Sequence, residues 1–424
     1  MVAEGYKETE IGVIPEEWEV VKLKDIGQSI IGLTYSPSDV VDSNHNAHLV
    51  LRSSNVQNSN ISLKDNVYVN KDIPEKLIVK QGDILICSRN GSKNLIGKNA
   101  YISQEYVGHT FGAFMTIYRS KYSHFVYQLL QTNLYQKQID SNMGATINQI
   151  TTGNLNSFKF PFPPLKEQEK IADILCSADE KIDAIASQIQ KVETLKKGLL
   201  QKLLSEGIGH SEFKNSELGK IPESWEVVNI GSILELLTDY HANGSYEKLS
   251  ENVSLLDKED YSIMVRTTNF EKNNFKDNLI YIDEFAYNYL KKSKVYEHDI
   301  IINKIANAGA TYLMPKIDKP VSLAMNLFLL RFKDDILKQY VYFQIKRNED
   351  RLKLLASGTS TKTITKDDVR GFKILLAPLE EQKQIADILS TADEKLEVLR
   401  AKKEKYTTLK KGLLQKLLSG EVRV

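Results

Sequence analysis

LKKGLLQKLLS, residues 195–205, returns letter for letter at residues 409–419. An identical block of eleven residues, 214 positions apart, marks an internal duplication. Working outward, two more blocks return in the same order. YKETEIGVIPEEWEVV (6–21) reappears as FKNSELGKIPESWEVV (213–228), and PPLKEQEKIADIL (163–175) as APLEEQKQIADIL (377–389). Between them the match is looser: LRSSNV (51–56) against VRTTNF (265–270), GDIL (82–85) against HDII (298–301), and GATINQIT (144–151) against GTSTKTIT (358–365). Each half therefore runs through a Trp-bearing opening, a variable globular body and a nearly invariant tail.

The tails read as helices. In the first, Ile171, Leu175, Ala178, Ile182, Ile185, Ile189 and Val192 alternate by four and three, the spacing of a coiled-coil seam, and the pattern then slips by a residue to Leu195 and Leu199. The second gives Ile385, Leu389, Ala392, Leu396 and Leu399, a polar break at Lys403, then Tyr406, Leu409 and Leu413. Each begins just after a proline, carries acids such as Glu167 and Glu381 in its first turn and ends in lysines, as the helix dipole favours. About 40 residues at 1.5 Å each make a rod of roughly 60 Å. An amphipathic rod of that length needs a partner, and the other tail is the nearest one. Because the second body follows shortly after the first helix, the simplest pairing is antiparallel, with the bodies at opposite ends and an approximate two-fold relation.

The bodies read as mixed α/β. VVKLKDI, VYVN, KLIVKQGDILIC, FMTIYR and FKFPFP have the β-branched and aromatic enrichment of short strands. HFVYQLLQTNLYQKQI and its counterpart LKQYVYFQIKRNEDRLKLL each predict a helix. The chain is thus an α+β protein with segments at 1–164, 165–207, 208–378 and 379–424: body, helix, body, helix.

At 424 residues, 42% hydrophobic and 26% charged, the composition is that of a soluble globular protein with more than one core. The net charge of +1 gives no global field, so any nucleic-acid contact must rest on local clusters of basic residues. The two cysteines, Cys87 and Cys176, form no CxxC or Cys/His cluster, which points to a reducing cytoplasm and away from structural zinc. No leader and no membrane span is expected, since no run of 18 apolar residues occurs.

Catalytic and cofactor signatures are missing. GSKNLIGK (91–98) imitates a phosphate loop, but five residues separate its glycines where four are needed, and Asn99 stands where Ser or Thr should hold magnesium. GxGxxG, HExxH and GxSxG do not occur, and FPFPPLKEQ lacks the Asn or Asp of an amino-methyltransferase tetrapeptide. His45 and His48 have no third ligand in view. No cofactor and no metal is expected.

Polar, basic, amide-rich loops remain, at matching places in both halves. The first half offers Arg52 and Asn55, then Ser88, Arg89, Asn90, Ser92 and Lys93, then Asn148 and Gln149 within 146–152. The second offers Arg266 and Asn269, then Lys304 and Asn307, then Lys362 and Thr363 within 359–366. Arginine forks onto guanine, Asn and Gln pair with adenine, and Ser, Thr and Lys hold phosphates. Taken singly, each is equally an ordinary solvated turn. Features that both halves share suit fold or phosphate contact, whereas positions that differ are where two base sequences would be read.

The pattern resembles the specificity subunit of type I restriction-modification systems. IPEEWEVVKLKDI and IPESWEVVNIGSI, GDILIC and HDIII, PPLKEQEKIADIL and APLEEQKQIADIL, and the closing KKGLLQKLLS carry the resemblance, in tandem order over the whole chain. It implies two target recognition domains, each reading part of a split site in double-stranded DNA. It further implies that the helices act as spacer and docking surface for two copies of an adenine methyltransferase subunit that uses S-adenosylmethionine, joined by restriction subunits that translocate DNA with ATP. The spacing has a physical reason: B-DNA repeats every 34–36 Å, about one turn, so readers held on a rigid rod meet the grooves at a fixed interval. Two other readings stand against this one: a self-sufficient methyltransferase or nuclease, and a coiled-coil scaffold whose bodies bind protein.

Overall fold

The computed structural model describes residues 3–42, 47–144, 147–359 and 361–424. The chain divides into two units, residues 1–187 with 401–424, and residues 188–400. Each tail is one continuous helix, Leu165–Glu206 and Leu379–Leu418, and each helix contributes residues to both units.

The first unit opens on a hairpin, Tyr6–Thr9 with Gly12–Pro15. Glu19–Lys22 then pairs antiparallel with Lys159–Phe162, the strand that leads into the long helix. Between these lie two four-stranded sheets. The first is antiparallel, in the order Asn99–Tyr101, Ile84–Cys87, Met115–Arg119, Gln28–Ile31. The second has the order Thr110–Phe111, His48–Leu51, Tyr68–Val69, Val40–Val41, with its first two strands parallel. Ile84 and Ile86 face one core with Trp18 and Tyr118, while Leu85 and Cys87 face the other with Val50 and Phe111, as strand alternation requires.

The second unit repeats the plan. Its hairpin is Phe213–Ser216 with Gly219–Pro222, and Glu226–Asn229 pairs with Lys373–Leu376 before the second long helix. One sheet runs Leu234–Asp239, Leu327–Phe332, Ile300–Asn303, Thr311–Leu313. The other runs Tyr281–Ile282, Ser262–Val265, Val321–Leu323, Lys294–Val295, with a parallel pair at its centre.

Both helices expected within the bodies are broken in two. Ser123–Leu129 is followed by Asn133–Asn142, and Lys338–Arg347 by Glu349–Leu354. In the first, Thr132 restarts the helix by accepting from Tyr135 N, while its own hydroxyl donates to Leu129 O. A capping residue competes with the helix it interrupts, and periodicity alone does not expose the break.

The repeated opening and the repeated start of each tail form one lock. Trp18, wholly buried, donates from Nε1 to Glu167 at 3.0 Å, and Arg423 reaches the same carboxylate from Nε at 2.6 Å. In the second unit Trp225 Nε1 donates to Glu381 at 2.8 Å, and Ile208 N donates to that carboxylate at 2.9 Å. His210 Nε2 lies 2.8 Å from it. A carboxylate taken out of water needs such partners. Gln168 and Gln382 fold their amides back onto Pro163 O and Ala377 O, closing each helix start.

Within each unit the two long helices run antiparallel. In the first unit Glu167 meets Arg423 and Asp179 meets Lys410; in the second Glu193 meets Arg400 and Lys196 meets Asp393. Of the expected seam, Ile171, Leu175, Ile185, Ile385, Leu389, Leu396 and Leu399 are buried, and Ile182, Ile189 and Leu413 are half-buried, whereas Leu195 and Leu409 are exposed, because past the break in the heptad spacing these side chains turn away from the partner helix. Ile171 and Leu175 lie in the core of the first body beside Trp18 and Phe125, and Ile385 and Leu389 lie beside Trp225 and Tyr340. The start of each apolar stripe therefore faces its own body as well as a helix. Gly420 ends the second helix at φ +75°, where a Cβ would meet Pro15 Cδ at 2.4 Å, so the last turn is pressed onto the first hairpin.

Truncating Leu175 to alanine is expected to cost about 2–5 kcal/mol in denaturant unfolding. Leu195→Ala, on a side chain 59% exposed, should stay within about 0.5 kcal/mol.

Candidate nucleic-acid interface

In each unit the structure brings three sequence-distant loops together at the end of the antiparallel sheet. In the first unit Arg89 pairs as a β-bridge with Gln149, Asn90 N donates to Asn148 O at 3.2 Å and Ile150 N to Ser88 O at 2.8 Å. Asn148 Nδ2 reaches Gly91 O, and Asn90 Nδ2 donates to Ser53 Oγ at 2.9 Å, tying in the third loop. In the second unit Ile305 bridges Thr363, Ala306 N donates to Lys362 O at 3.1 Å and Ile364 N to Lys304 O at 3.0 Å. Thr267 Oγ1 donates to Asn303 at 3.0 Å.

These backbone bonds are position-for-position the same, so Arg89 answers to Ile305, Asn90 to Ala306, Asn148 to Lys362 and Gln149 to Thr363. The hydrogen bonds common to both frames involve main-chain groups that every non-proline residue carries, so side chains can change without disturbing them. Arg89 and Lys93 are exposed, and Asn90, Asn148 and Gln149 half-buried; Asn307 and Lys362 are exposed, and Thr363 half-buried. Thr146 and Ser360, within the loops 146–152 and 359–366, and His45 lie outside the described residues.

The shared Arg-Ser/Thr-Ser/Thr-Asn run has an internal task. Asn55 and Asn269 are buried; their Oδ1 atoms accept from Arg52 N and Arg266 N, each at 2.9 Å, and their Nδ2 groups donate to carbonyls of the following loop. This removes Asn55 and Asn269 from the candidate base readers, because neither amide is free to meet an edge. Ser88 is likewise buried, its Oγ donating to Phe114 O. Arg52 is held by Asp65 at 3.0 Å, and Arg266 donates to Asn278 O at 3.2 Å. Both are half-buried at the rim of their loop cluster.

Lys304 lies 2.8 Å from Asp239, which also takes Lys366 at 3.2 Å. Burial alone would raise the Asp239 carboxyl, but hydrogen bonds and charge from Lys304 and then Lys366 outweigh it and hold the group below its ordinary range. Asp239 is not marked by the sequence pattern, since it stands 65 residues from Lys304. Cys87, beside the Arg89 loop, is pushed up to about 11 by burial, against a smaller pull from Lys98, and so remains a thiol at neutral pH rather than a nucleophile. Both cysteines are free. Among the described residues no three His, Cys, Asp or Glu side chains are grouped to hold a metal, and no helix is long and apolar enough to cross a membrane. His48 Nδ1 lies 3.2 Å from Gly108 O.

Two copies of one scaffold, presenting different side chains from the same backbone frame, define a recognition protein with two binding units. The family described as the type I restriction modification DNA specificity domain matches residues 15–194 and again residues 222–407. The chain is 32% identical to the MjaX type I restriction enzyme specificity subunit of Methanocaldococcus jannaschii, over 99% of this chain and 97% of that one. It is 24% identical to the EcoKI specificity subunit of Escherichia coli, over 97% of this chain and 90% of that one. The crystal structure of a type I restriction-modification system S subunit from M. genitalium shares the fold, with a TM-score of 0.64 at 16% identity, covering 95% of this chain and 96% of that one. The chain belongs to the type I restriction-modification specificity family. It is a specificity subunit with two recognition domains, the non-catalytic component of such a system.

The Asp239 cluster fixes a pH dependence. A carboxyl whose folded value lies below its unfolded value stabilises the fold above the ordinary value of 3.8, and that contribution is lost as pH falls through the lower folded value. Asp239→Asn should therefore flatten the loss of stability that sets in as pH falls below the ordinary carboxyl value of 3.8, measured by chemical denaturation.

Proposed function

We propose that the chain reads a split target in double-stranded DNA, one part through the body at 1–164 and the other through the body at 208–378. The observation that carries this is the common loop frame bearing Arg89, Asn90, Asn148 and Gln149 in one unit and Ile305, Ala306, Lys362 and Thr363 in the other. A surface that bound one ligand twice would repeat its side chains; one that reads two sequences must vary them. Arg89 suits guanine, Asn148 and Gln149 suit adenine edges, and Lys93, Lys362 and Asn307 suit phosphate or polar contacts, whereas Asn90, whose Nδ2 donates to Ser53 Oγ and whose Oδ1 accepts from Ser92 N, braces its loop. Arg52, Arg266 and Lys304, held by partners at the rim, serve the phosphate backbone.

The helices at 165–207 and 379–424 act in this reading as spacer and as the docking surface for two copies of an adenine methyltransferase subunit, to which restriction subunits can add. What supports it is the exposure of matching apolar side chains: Leu165 at 55% and Leu379 at 36%, Ile174 at 37% and Ile388 at 40%, Leu195 at 59% and Leu409 at 53%. An exposed leucine kept at the same place in both tails has no role inside its own unit and suits one partner surface used twice. S-adenosylmethionine belongs to the methyltransferase, and the assembly works in the cytoplasm, where the DNA is.

Mapping methylated adenines in DNA modified by the reconstituted complex gives the target. On that target, log affinity should fall linearly with log salt as phosphate contacts release counterions. The net charge of +1 favours a second reading, a coiled-coil scaffold that binds protein, and a flat salt response is its signature. Arg89→Ala should relax preference at one base pair of one half-site by about 1–3 kcal/mol and leave the other half-site unchanged. Replacing both Leu195 and Leu409 by aspartate should abolish methyltransferase binding in analytical ultracentrifugation while the thermal midpoint of the isolated chain stays in place.

A further inference from the structure

In the first unit the turn leading into strand Met115–Arg119 presents Phe114. Its carbonyl oxygen accepts from Ser88 N, Arg89 N and Ser88 Oγ, each at 3.0 Å, and Met115 N closes the turn onto Gly112 O at 2.8 Å. This much hydrogen bonding fixes the backbone of a residue whose side chain is 57% exposed. The ring is left in water on a fixed backbone, which the fold itself does not require. The Arg89 guanidinium lies 5.0 Å from the ring centroid, so cation and ring form one unit at the edge of the loop cluster.

The second unit turns at the same register. Strand register places Asn303 opposite Leu327 as it places Cys87 opposite Met115, and Lys304 N donates to Asn326 O at 2.8 Å as Ser88 N does to Phe114 O. Asn326 therefore occupies the backbone position of Phe114. It is exposed and takes φ +70°, a conformation that asparagine tolerates better than most residues. One scaffold position thus carries an apolar ring in one copy and an amide in the other. Phe114 does not take the left-handed region, so the two tips share register and exposure but not backbone conformation.

We propose that this turn tip is a base-reading position in each body: Phe114 packs on the 5-methyl group of a thymine next to the base pair met by Arg89, and Asn326 hydrogen-bonds an adenine. The methyl is the one apolar feature of the major-groove edge, and an asparagine amide matches adenine N6 and N7. The inference rests on the DNA reading given above and adds two residues that the polar-loop pattern does not mark.

The test uses the full chain reconstituted with its methyltransferase and duplexes carrying the mapped target, with deoxyuridine replacing each thymine in turn. Wild type should bind about fourfold more weakly when one thymine of the first half-site loses its methyl, the worth of one methyl group withdrawn from water. The Phe114→Ala complex should be indifferent to that change, keep the salt slope of wild type and keep its selectivity at the second half-site. Asn326→Gly, which retains the backbone conformation, should relax one adenine preference in the second half-site only. If no thymine of the first half-site responds to methyl removal, or if Phe114→Ala responds as wild type does, the assignment is wrong. A wild-type complex that fails to prefer the mapped target over a scrambled duplex instead overturns the DNA reading beneath it.

Discussion

Everything in this chain hangs on a tryptophan and a glutamate meeting twice. Trp18 and Trp225 come from the openings of the two halves, Glu167 and Glu381 from the first turns of the two long helices, and each pair closes a body against its helix. An indole N–H buried among Ile14, Leu175 and Phe160 has no water to bond, and a buried carboxylate has none to solvate it. Each answers the other's need, and Arg423 in one unit and Ile208 N in the other complete the carboxylate's shell. This explains why two well-kept repeats in the sequence flank a divergent body: they are the halves of one lock. The third repeat, LKKGLLQKLLS, supplies Leu203 and Leu204 to the second core and Leu417 and Leu418 to the first, so an identical helix end seals both.

With the bodies anchored this way, their loops are free to differ. The bonds that both units share, joining the loops around residues 89 and 149 and those around residues 305 and 363, run through main-chain groups. Backbone pairing is blind to side-chain identity, so a frame built from it holds while its display changes. The residues that do not change, Asn55 and Asn269, are those whose side chains are part of the frame. Conservation between the two copies thus separates frame from display, and the separation is physical: a buried amide that loses its partners is costly, whereas an exposed one can be exchanged freely.

Duplication, helical tails and the absence of catalytic motifs were legible because each is a linear property, present in spacing or in letters. The polar loops were legible as loops, and Arg89, Asn90, Asn148 and Gln149 do come together. What escaped was the fate of individual side chains. Asn55 looks like a base reader until its bonds to the segment just after it are seen, and Lys304 looks free until Asp239 arrives from another strand. Phe114 reads as the first residue of a strand in FMTIYR, and only the carbonyl bonds from Ser88 and Arg89 make it the tip of a turn.

The heptad spacing shows the same boundary. It locates the helices well, because a repeat of three and four residues is a property of one helix. It does not say which neighbour fills each stretch of the stripe, and Ile171 and Leu175 turn out to face a globular core as well as a helix. The sequence by itself determined that this protein is one module used twice, with helices that must pair and bodies that must differ. Tertiary structure alone decided which polar groups are consumed inside and which are displayed, because a side chain's partners come from segments far away along the chain, and no local pattern encodes who will stand opposite.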